Sequence, residues 1–299
     1  MNLSIEKLKP GDLVEILAPA KFIEKIHVDT AVDVLKGMGF RVRVSKHCLG
    51  RFNYFSGTVS ERLLDFQNAI NDIEVKAIFC ARGGYGCIQL VDKLQWANML
   101  RHPKWIVGFS DVTVFHQKLG SMGLNSIHGT MPLNFSKNSS DAFSTLNDAL
   151  TGKAYKIKTK HTKHNRFGSA NATLRGGNLS ILYSLLGTDD CLDYTDSILF
   201  VEDLSEQIYH LDRMFYTLAK AGILNRIKGL IVGGMTDMKD TATPFGMNYE
   251  EVILSHFEYR KIPICFNFTA GHINDNRALV LGAEVELNVN PTGSELLFL

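Results

Sequence analysis

Along the first half of the chain, apolar runs alternate with segments whose apolar positions recur at helical spacing. Leu13–Ala18 is an apolar run stopped by Pro19, and Val75–Cys80, Trp105–Phe109 and Ser126–His128 share that strand character. Thr58-Val-Ser-Glu61 has the form of a capping box, in which hydroxyl and carboxylate each satisfy a backbone N–H at a helix start. The helix it opens carries Leu63, Leu64, Phe66 and Ile70. Asp111–Leu119 predicts another helix, with Val112, Phe115 and Leu119 near one face. Strands alternating with helices predict an α/β fold on a mostly parallel sheet covered on both faces. In such sheets ligands collect outside the carboxyl ends of the strands.

Between Lys153 and Ala172 the pattern breaks. The stretch holds Lys153, Lys156, Lys158, Lys160, His161, Lys163, His164 and Arg166 and no acidic residue. Basic runs bind phosphates, but with hardly an aromatic interleaved this one reads better as a solvated linker. The expected organisation is an N-terminal domain over 1–152, a basic linker over 153–172 and a C-terminal domain over 173–299. Within the last, the pattern predicts a short apolar helix ending at Leu186, a strand at Ile198–Val201 and a helix at Tyr209–Ala221. Further strands are expected at Leu230–Val232 and Ile264–Phe268, and Val280–Leu299 alternates as half-buried strands around a Pro291-Thr-Gly turn.

At 299 residues the chain is long for one core and comfortable for two. Its 45% hydrophobic and 21% charged residues are those of an ordinary globular protein. A net charge of +1 offers nothing to nucleic acid or an anionic membrane. No apolar run approaches the roughly 20 residues of a membrane helix, and Met1–Pro10 lacks the layout of a signal peptide. Cysteines 48, 80, 87, 191 and 265 are scattered, without paired spacing. They read as reduced thiols of a cytoplasmic protein rather than as disulfides or a zinc site. Cys87, near a glycine loop, is the one cysteine to weigh as a nucleophile, but nothing nearby in sequence would lower its pKa. The histidines show no HExxH or paired Cys/His spacing, so no metal and no cofactor is expected.

Candidate chemistry gathers where strands end. Ser110 sits on the turn between the run ending at Gly108 and the helix that follows. A serine there is either an N-cap or a nucleophile presented beside the unpaired N–H groups of a new helix. Arg82-Gly83-Gly84-Tyr85-Gly86 follows the strand Val75–Cys80 and lacks both GxGxxG and the Lys-Ser/Thr of a phosphate loop. Gly176-Gly177 and Gly233-Gly234 read as close-packing turns. Glu202 and His272 each end an apolar segment in the second half, the placement needed for a base and the group that orients it.

Together these blocks resemble the LD-carboxypeptidase family, which includes the microcin-immunity peptidases. The resemblance runs nearly end to end. It rests on Lys9–Pro19, Ala81–Gly86, Gly108-Phe-Ser-Asp-Val-Thr113, His128–Pro132, Arg175–Ser180, Leu199–Asp203, Tyr209–Met214 and Ala270-Gly-His272, in that order. It implies an N-terminal flavodoxin-like, mostly parallel sheet domain and a smaller C-terminal α/β domain with a mixed, barrel-like sheet. It also implies Ser110 as nucleophile, His272 as general base and Glu202 as its orienter, with backbone N–H groups of Gly84 and Asp111 as the oxyanion hole. Arg82, Gly83 and Asn178 are the expected substrate-binding residues. Two departures are visible: Ile273 follows the histidine where the family often has glycine, and Phe109 stands where tyrosine is commoner.

The implied activity is a cytoplasmic, homodimeric serine carboxypeptidase that releases terminal D-alanine from a murein tetrapeptide by hydrolysing an L,D-amide bond. A second reading keeps the mechanism but takes a peptidyl- or aminoacyl-nucleotide amide, as in the immunity branch. A third is a non-enzymatic module that binds small peptides, in which Ser110, Glu202 and His272 would have no common task.

Overall fold

The computed structural model describes residues 5–299, so the first four positions of the stretch read for a signal peptide lie outside it. The described residues form two compact units. One comprises those up to Lys153 together with Asn274–Val280, the other Ala154–Ile273 and Leu281–Leu299.

The first unit is built on β1 (Leu13–Leu17), β2 (Arg41–Val44), β3 (Val75–Cys80), β4 (Trp105–Gly108) and β5 (Ser126–His128). These pair in parallel in the order β2-β1-β3-β4-β5. β1 and β4 are buried at every residue, as strands covered on both faces must be. This is the flavodoxin-like winding, whose ligand crevice lies where the order reverses, beyond the carboxyl ends of β1 and β3. Beyond β5 the sheet gains Leu279–Leu281 from far along the chain. The capping box is present: Glu61 N donates to Thr58 Oγ1, and Thr58 N donates to Glu61 Oε2. On the helix it opens (Val59–Asn71), Phe66 and Ile70 are buried, but Leu64 faces solvent and Arg62 is buried instead.

The second unit holds β6 (Lys156–Lys160), β7 (Gly168–Asn178), β8 (Ile198–Leu204), β9 (Gly229–Thr236) and β10 (Ile264–Cys265). With Leu279–Leu281 counted as β11, β12 (Glu284–Asn290) and β13 (Gly293–Phe298) complete it. Its order is β10-β9-β8-β7-β12-β13-β6, parallel from β10 to β7 and antiparallel from β7 to β6. The sheet is mixed as expected but not a closed barrel. β10 has only two residues, and a single bridge between Arg166 and Ile264 joins it to the segment after β6. Helix Ile208–Lys220 buries Leu211, Met214, Phe215 and Leu218 in this unit's core, beside Phe257 and Phe266.

Residues 153–172 are not a linker. β6 pairs with β13, burying Ile157, and Lys156 and Lys158 each lie 3.2 Å from Glu295. The basic charge is thus partly matched by an acid contributed from more than a hundred residues away. Nor is 173–299 one continuous domain, since Asn274–Val280 returns to the first unit. There Asn138 Nδ2 donates to the Asn274 carbonyl at 2.7 Å, and Ala278 N donates to Thr145 Oγ1 at 3.0 Å. The paired glycines expected in turns lie inside strands. A Cβ on Gly176 in β7 would meet the Phe200 carbonyl oxygen at 1.9 Å, so only glycine permits that approach of β7 to β8. Among the described residues no helix is long and apolar enough to cross a membrane.

Candidate active site

β4 ends in Gly108, and two residues later Ser110 turns the chain with φ +64°. A non-glycine residue in that region stores about 1–3 kcal/mol of strain, held only because its surroundings over-determine it. The Ser110 side chain caps nothing. Phe109 holds the cap position of the 3-10 turn Ser110–Val112, and no side chain bonds there. The N-cap reading of the sequence therefore fails.

What holds the turn is a buried imidazole behind it. His116 Nε2 lies 2.9 Å from the Gly108 carbonyl, and Nδ1 lies 2.8 Å from Ser126 Oγ. Burial, then the nearby His128, push the His116 pKa down to about 3. The ring is thus neutral; the carbonyl accepts from Nε2–H, and Nδ1 accepts from the serine hydroxyl.

Gly83 abuts the turn. A Cβ placed on it would lie 3.0 Å from Ser110 Cβ, 3.1 Å from Ser110 Oγ and 3.2 Å from Asp111 N. Gly84 and Gly86 follow at φ +113° and +141°, a course open to glycine alone. Two side chains pin this loop. The Asp111 carboxylate accepts from Cys87 N at 2.9 Å. The buried Arg62 guanidinium donates through Nη1 to the Pro19 and Gly86 carbonyls at 2.7 and 3.3 Å, and through Nε to Gly57 at 3.1 Å. Sequence reasoning passed over Arg62, although it shares the buried stripe of its helix with Phe66 and Ala69. Arg82 sends Nη1 to the Phe22 carbonyl at 3.1 Å. Cys87 is inert: burial, with the Asp111 charge next, pushes its thiol well above the ordinary range.

In the second unit, Glu202 near the end of β8 is fully buried and meets His272 twice. The His272 backbone N–H donates to Glu202 Oε2 at 3.2 Å, and ring Nδ1 lies 2.6 Å from the same oxygen. With Nδ1–H given to the carboxylate, the neutral ring carries its basic lone pair on Nε2. Burial pulls the His272 pKa down, but the Glu202 charge and hydrogen bond outweigh it and the net shift is upward. Glycines make the approach possible. A Cβ on Gly271 (φ +105°) would come within 2.7 Å of Glu202 Cβ, and one on Gly233 within 2.5 Å of the Ala270 carbonyl oxygen. Thr236 Oγ1 donates to the His272 carbonyl at 2.8 Å. Ile273 packs against Gly234, where a Cβ would lie 2.8 Å from Ile273 Cγ2.

The Asn178 amide, expected to bind substrate, is engaged within its own unit. Its Nδ2 donates to Asp203 Oδ1 at 3.0 Å, while Oδ1 accepts from Ser180 Oγ and Ile181 N, capping helix Leu179–Ser184. Asp203 also accepts from the backbone N–H groups of Ser180 and Leu204. Burial, with Glu202 beside it, nevertheless pushes the Asp203 pKa up to about 7. Thus Ser110, Gly83 and Asp111 converge in the first unit, and Glu202 with His272 in the second. Among the described residues no group of three or more His, Cys, Asp or Glu side chains is arranged to hold a metal.

Comparison with known proteins gives these clusters a context. Residues 14–129 match the model of the LD-carboxypeptidase N-terminal domain, and residues 171–287 that of the C-terminal domain. The murein tetrapeptide carboxypeptidase of Pseudomonas aeruginosa is 27% identical over 289 residues, 93% of each chain. The crystal structure of muramoyltetrapeptide carboxypeptidase from Oxalobacter formigenes superposes with a TM-score of 0.87 at 28% identity, covering 96% of this chain and 98% of that one. MccF in complex with glutamyl sulfamoyl guanosine has the same fold, with a TM-score of 0.86 at 19% identity over 98% of both chains. With both halves matched in order, this chain belongs to the LD-carboxypeptidase family and is a serine-type peptidase.

Proposed function

We propose that this chain hydrolyses the L,D-amide bond that releases terminal D-alanine from murein tetrapeptides. Ser110 acts as nucleophile, His272 as general base and Glu202 as the group that orients and stabilises the imidazolium. The observation that carries this reading is Ser110 itself. It is a non-glycine residue at φ +64° beyond a buried parallel strand, with Gly83 and the Asp111 N–H packed against it. That is the strained strand-to-helix turn on which hydrolase nucleophiles stand.

Ser110 Oγ attacks the scissile carbonyl carbon as His272 Nε2 takes its proton. The carbonyl oxygen becomes an oxyanion, received by the N–H groups of Gly84 and Asp111. Such fixed donors need no reorganisation, and each contributes about 3 kcal/mol. The tetrahedral intermediate collapses as the imidazolium returns the proton to the leaving D-alanine nitrogen. Water, deprotonated by the same imidazole, then attacks the acyl-enzyme and frees the tripeptide and the serine. Arg82 and Gly83 would lie along the bound substrate, and Asn178 would hold the Asp203 carboxylate next to Glu202. The protein acts in the cytoplasm on this reading, a placement supported by five unpaired cysteines. It also works as a homodimer, which sedimentation equilibrium would test.

The test is incubation of purified protein with murein tetrapeptide and, separately, with an aminoacyl sulfamoyl adenosine, products read by mass spectrometry. Release of D-alanine that Ser110→Ala abolishes supports the proposal. Cleavage of the sulfamoyl compound alone moves the substrate to the aminoacyl-nucleotide class. Binding of tetrapeptide with no cleavage of either compound leaves a binding module.

A further inference from the structure

A peptidase that removes one terminal residue must recognise a free carboxylate a fixed, short distance from the bond it cuts. The scissile carbonyl carbon and the carboxylate carbon are separated only by the amide nitrogen and one Cα, about 3.5–4 Å in all. If Gly84 receives the oxyanion, the carboxylate anchor must border the glycine loop. Gly83 and Gly84 differ in what they face. A Cβ on Gly83 would meet Ser110, whereas one on Gly84 would meet Tyr54 Oη at 2.9 Å, Lys21 Cβ at 3.3 Å and Lys21 Cδ at 3.7 Å.

Lys21 and Tyr54 are held as a pair. Lys21 bridges Phe55 in antiparallel fashion, and Phe22 N donates to the Tyr54 carbonyl at 3.2 Å. The Lys21 ammonium lies 4.8 Å from the Tyr54 ring centroid, a cation–π contact that holds the charge beside the phenol. Tyr54 is 41% exposed, and its hydroxyl lies on the Gly84 side of the residue. Among the described residues neither Lys21 nor the neighbouring Arg82 forms an ion pair, whereas Arg51, over the adjacent Phe22 ring, is paired with Glu24. Burial lowers the Arg82 pKa, Tyr54 opposing it, which marks the phenol as its electrostatic neighbour. The Lys21 stem and the Tyr54 hydroxyl thus border the loop, with the Lys21 ammonium held over the phenol ring and, among the described residues, no carboxylate paired with it.

We infer that Lys21 and Tyr54 form the subsite for the α-carboxylate of the released residue, resting on the proposal that Gly84 borders the scissile carbonyl. The ammonium supplies the charge and the phenol hydroxyl a directed hydrogen bond, while the nearby Arg82 adds long-range attraction. The subsite makes the enzyme an exopeptidase, because a chain that continues past the leaving residue, or ends in an amide, presents no anion there.

The experiment compares kcat/KM on murein tetrapeptide ending in free D-alanine with that on its C-terminal carboxamide. The native enzyme, Lys21→Met, Lys21→Arg and Tyr54→Phe are measured side by side. The native enzyme is expected to favour the acid by about 10- to 100-fold, the range for a hydrogen bond to a charged group. Lys21→Met should bring that ratio close to one, Tyr54→Phe should lower it less, and Lys21→Arg should restore most of it. Loss of folded protein lowers both rates together and leaves the ratio alone, so the ratio reads the subsite. A native enzyme indifferent to the carboxylate, or a ratio unmoved by Lys21→Met and Tyr54→Phe, overturns the inference while leaving the peptidase reading standing. If the native protein cleaves neither peptide, that reading falls and the subsite with it.

Discussion

The two clusters solve their local problems with different materials. Around Ser110 the work is done by backbone: a positive φ, two glycines at φ beyond +110°, and N–H groups beside the serine. Around His272 it is done by charge, since a fully buried carboxylate meets the imidazole at 2.6 Å and burial and Coulomb attraction oppose each other. A backbone-built cluster is sensitive to volume and indifferent to pH, whereas a charge-built one answers to pH as well as to volume. Side-chain chemistry in the first unit supports that backbone instead. Arg62 and Asp111 pin the glycine loop, and neutral His116 braces the end of β4.

The largest effect tests whether the two clusters serve one reaction at all. Ser110→Ala and His272→Ala should each lower kcat by about 10⁶, and the double variant should be little worse, because such groups act as a unit. Calorimetric titration should show tetrapeptide affinity for Ser110→Ala nearly unchanged. Additive losses in the double variant would mean that the clusters do not share a mechanism.

Glu202→Gln comes next, with an expected loss in kcat of about 10⁴, as in a triad whose carboxylate becomes an amide and mis-sets the imidazole tautomer. A loss as large as that of His272→Ala would give Glu202 a further role. On the backbone side, Gly83→Ala asks only for space, because Gly83 is not among the residues at positive φ. The new methyl at 3.0–3.1 Å from Ser110 Cβ and Oγ must push the serine aside by a few tenths of an ångström. The expected cost is about 10-fold in kcat, short of the roughly 10² that a full 1 Å misplacement can bring, with the thermal midpoint nearly unchanged. A midpoint that falls steeply while the rate per folded molecule holds would show that Gly83 serves packing and not the nucleophile.

Much of the first unit was legible because its signals are local. β3 and β5 carry the boundaries expected from their apolar runs, β4 is one residue shorter, and the capping box is where its letters place it. What escaped reading depends on partners distant in sequence. Lys156-Ile-Lys-Thr-Lys160 shows only one apolar residue in five, and nothing nearby announces Glu295 opposite it. The return of Asn274–Val280 to the first unit has no local signature either. At the site, residue types were legible and conformations were not. Ser110, Glu202 and His272 stood out at strand ends, but no letter records φ +64°, and Asn178 reads as a donor until its amide is seen to bind Asp203 and cap a helix.

The smallest effect separates the clusters most cleanly, because it is a change of sign. A general base must be neutral, so kcat/KM falls on the acid side with the pKa of His272 in the free enzyme. Burial alone would place that limb below the ordinary imidazole value of about 6.5, but Glu202 outweighs burial, so the limb should lie above it. In Glu202→Gln the carboxylate charge is gone, only Asp203 still opposes burial, and the limb should move down in pH even as the plateau rate drops. The linked stability has the same sense. With its folded pKa raised, His272 contributes stability that is full below the unfolded imidazole pKa and is lost as pH rises through the folded value. Gly83→Ala touches no charge in this balance and should leave the limb where the native enzyme has it. The check is a pH profile of kcat/KM for the native enzyme and both variants, with thermal midpoints recorded across the same range. A limb that stays put in Glu202→Gln, or shifts in Gly83→Ala, would break the division between a cluster set by backbone and one set by charge.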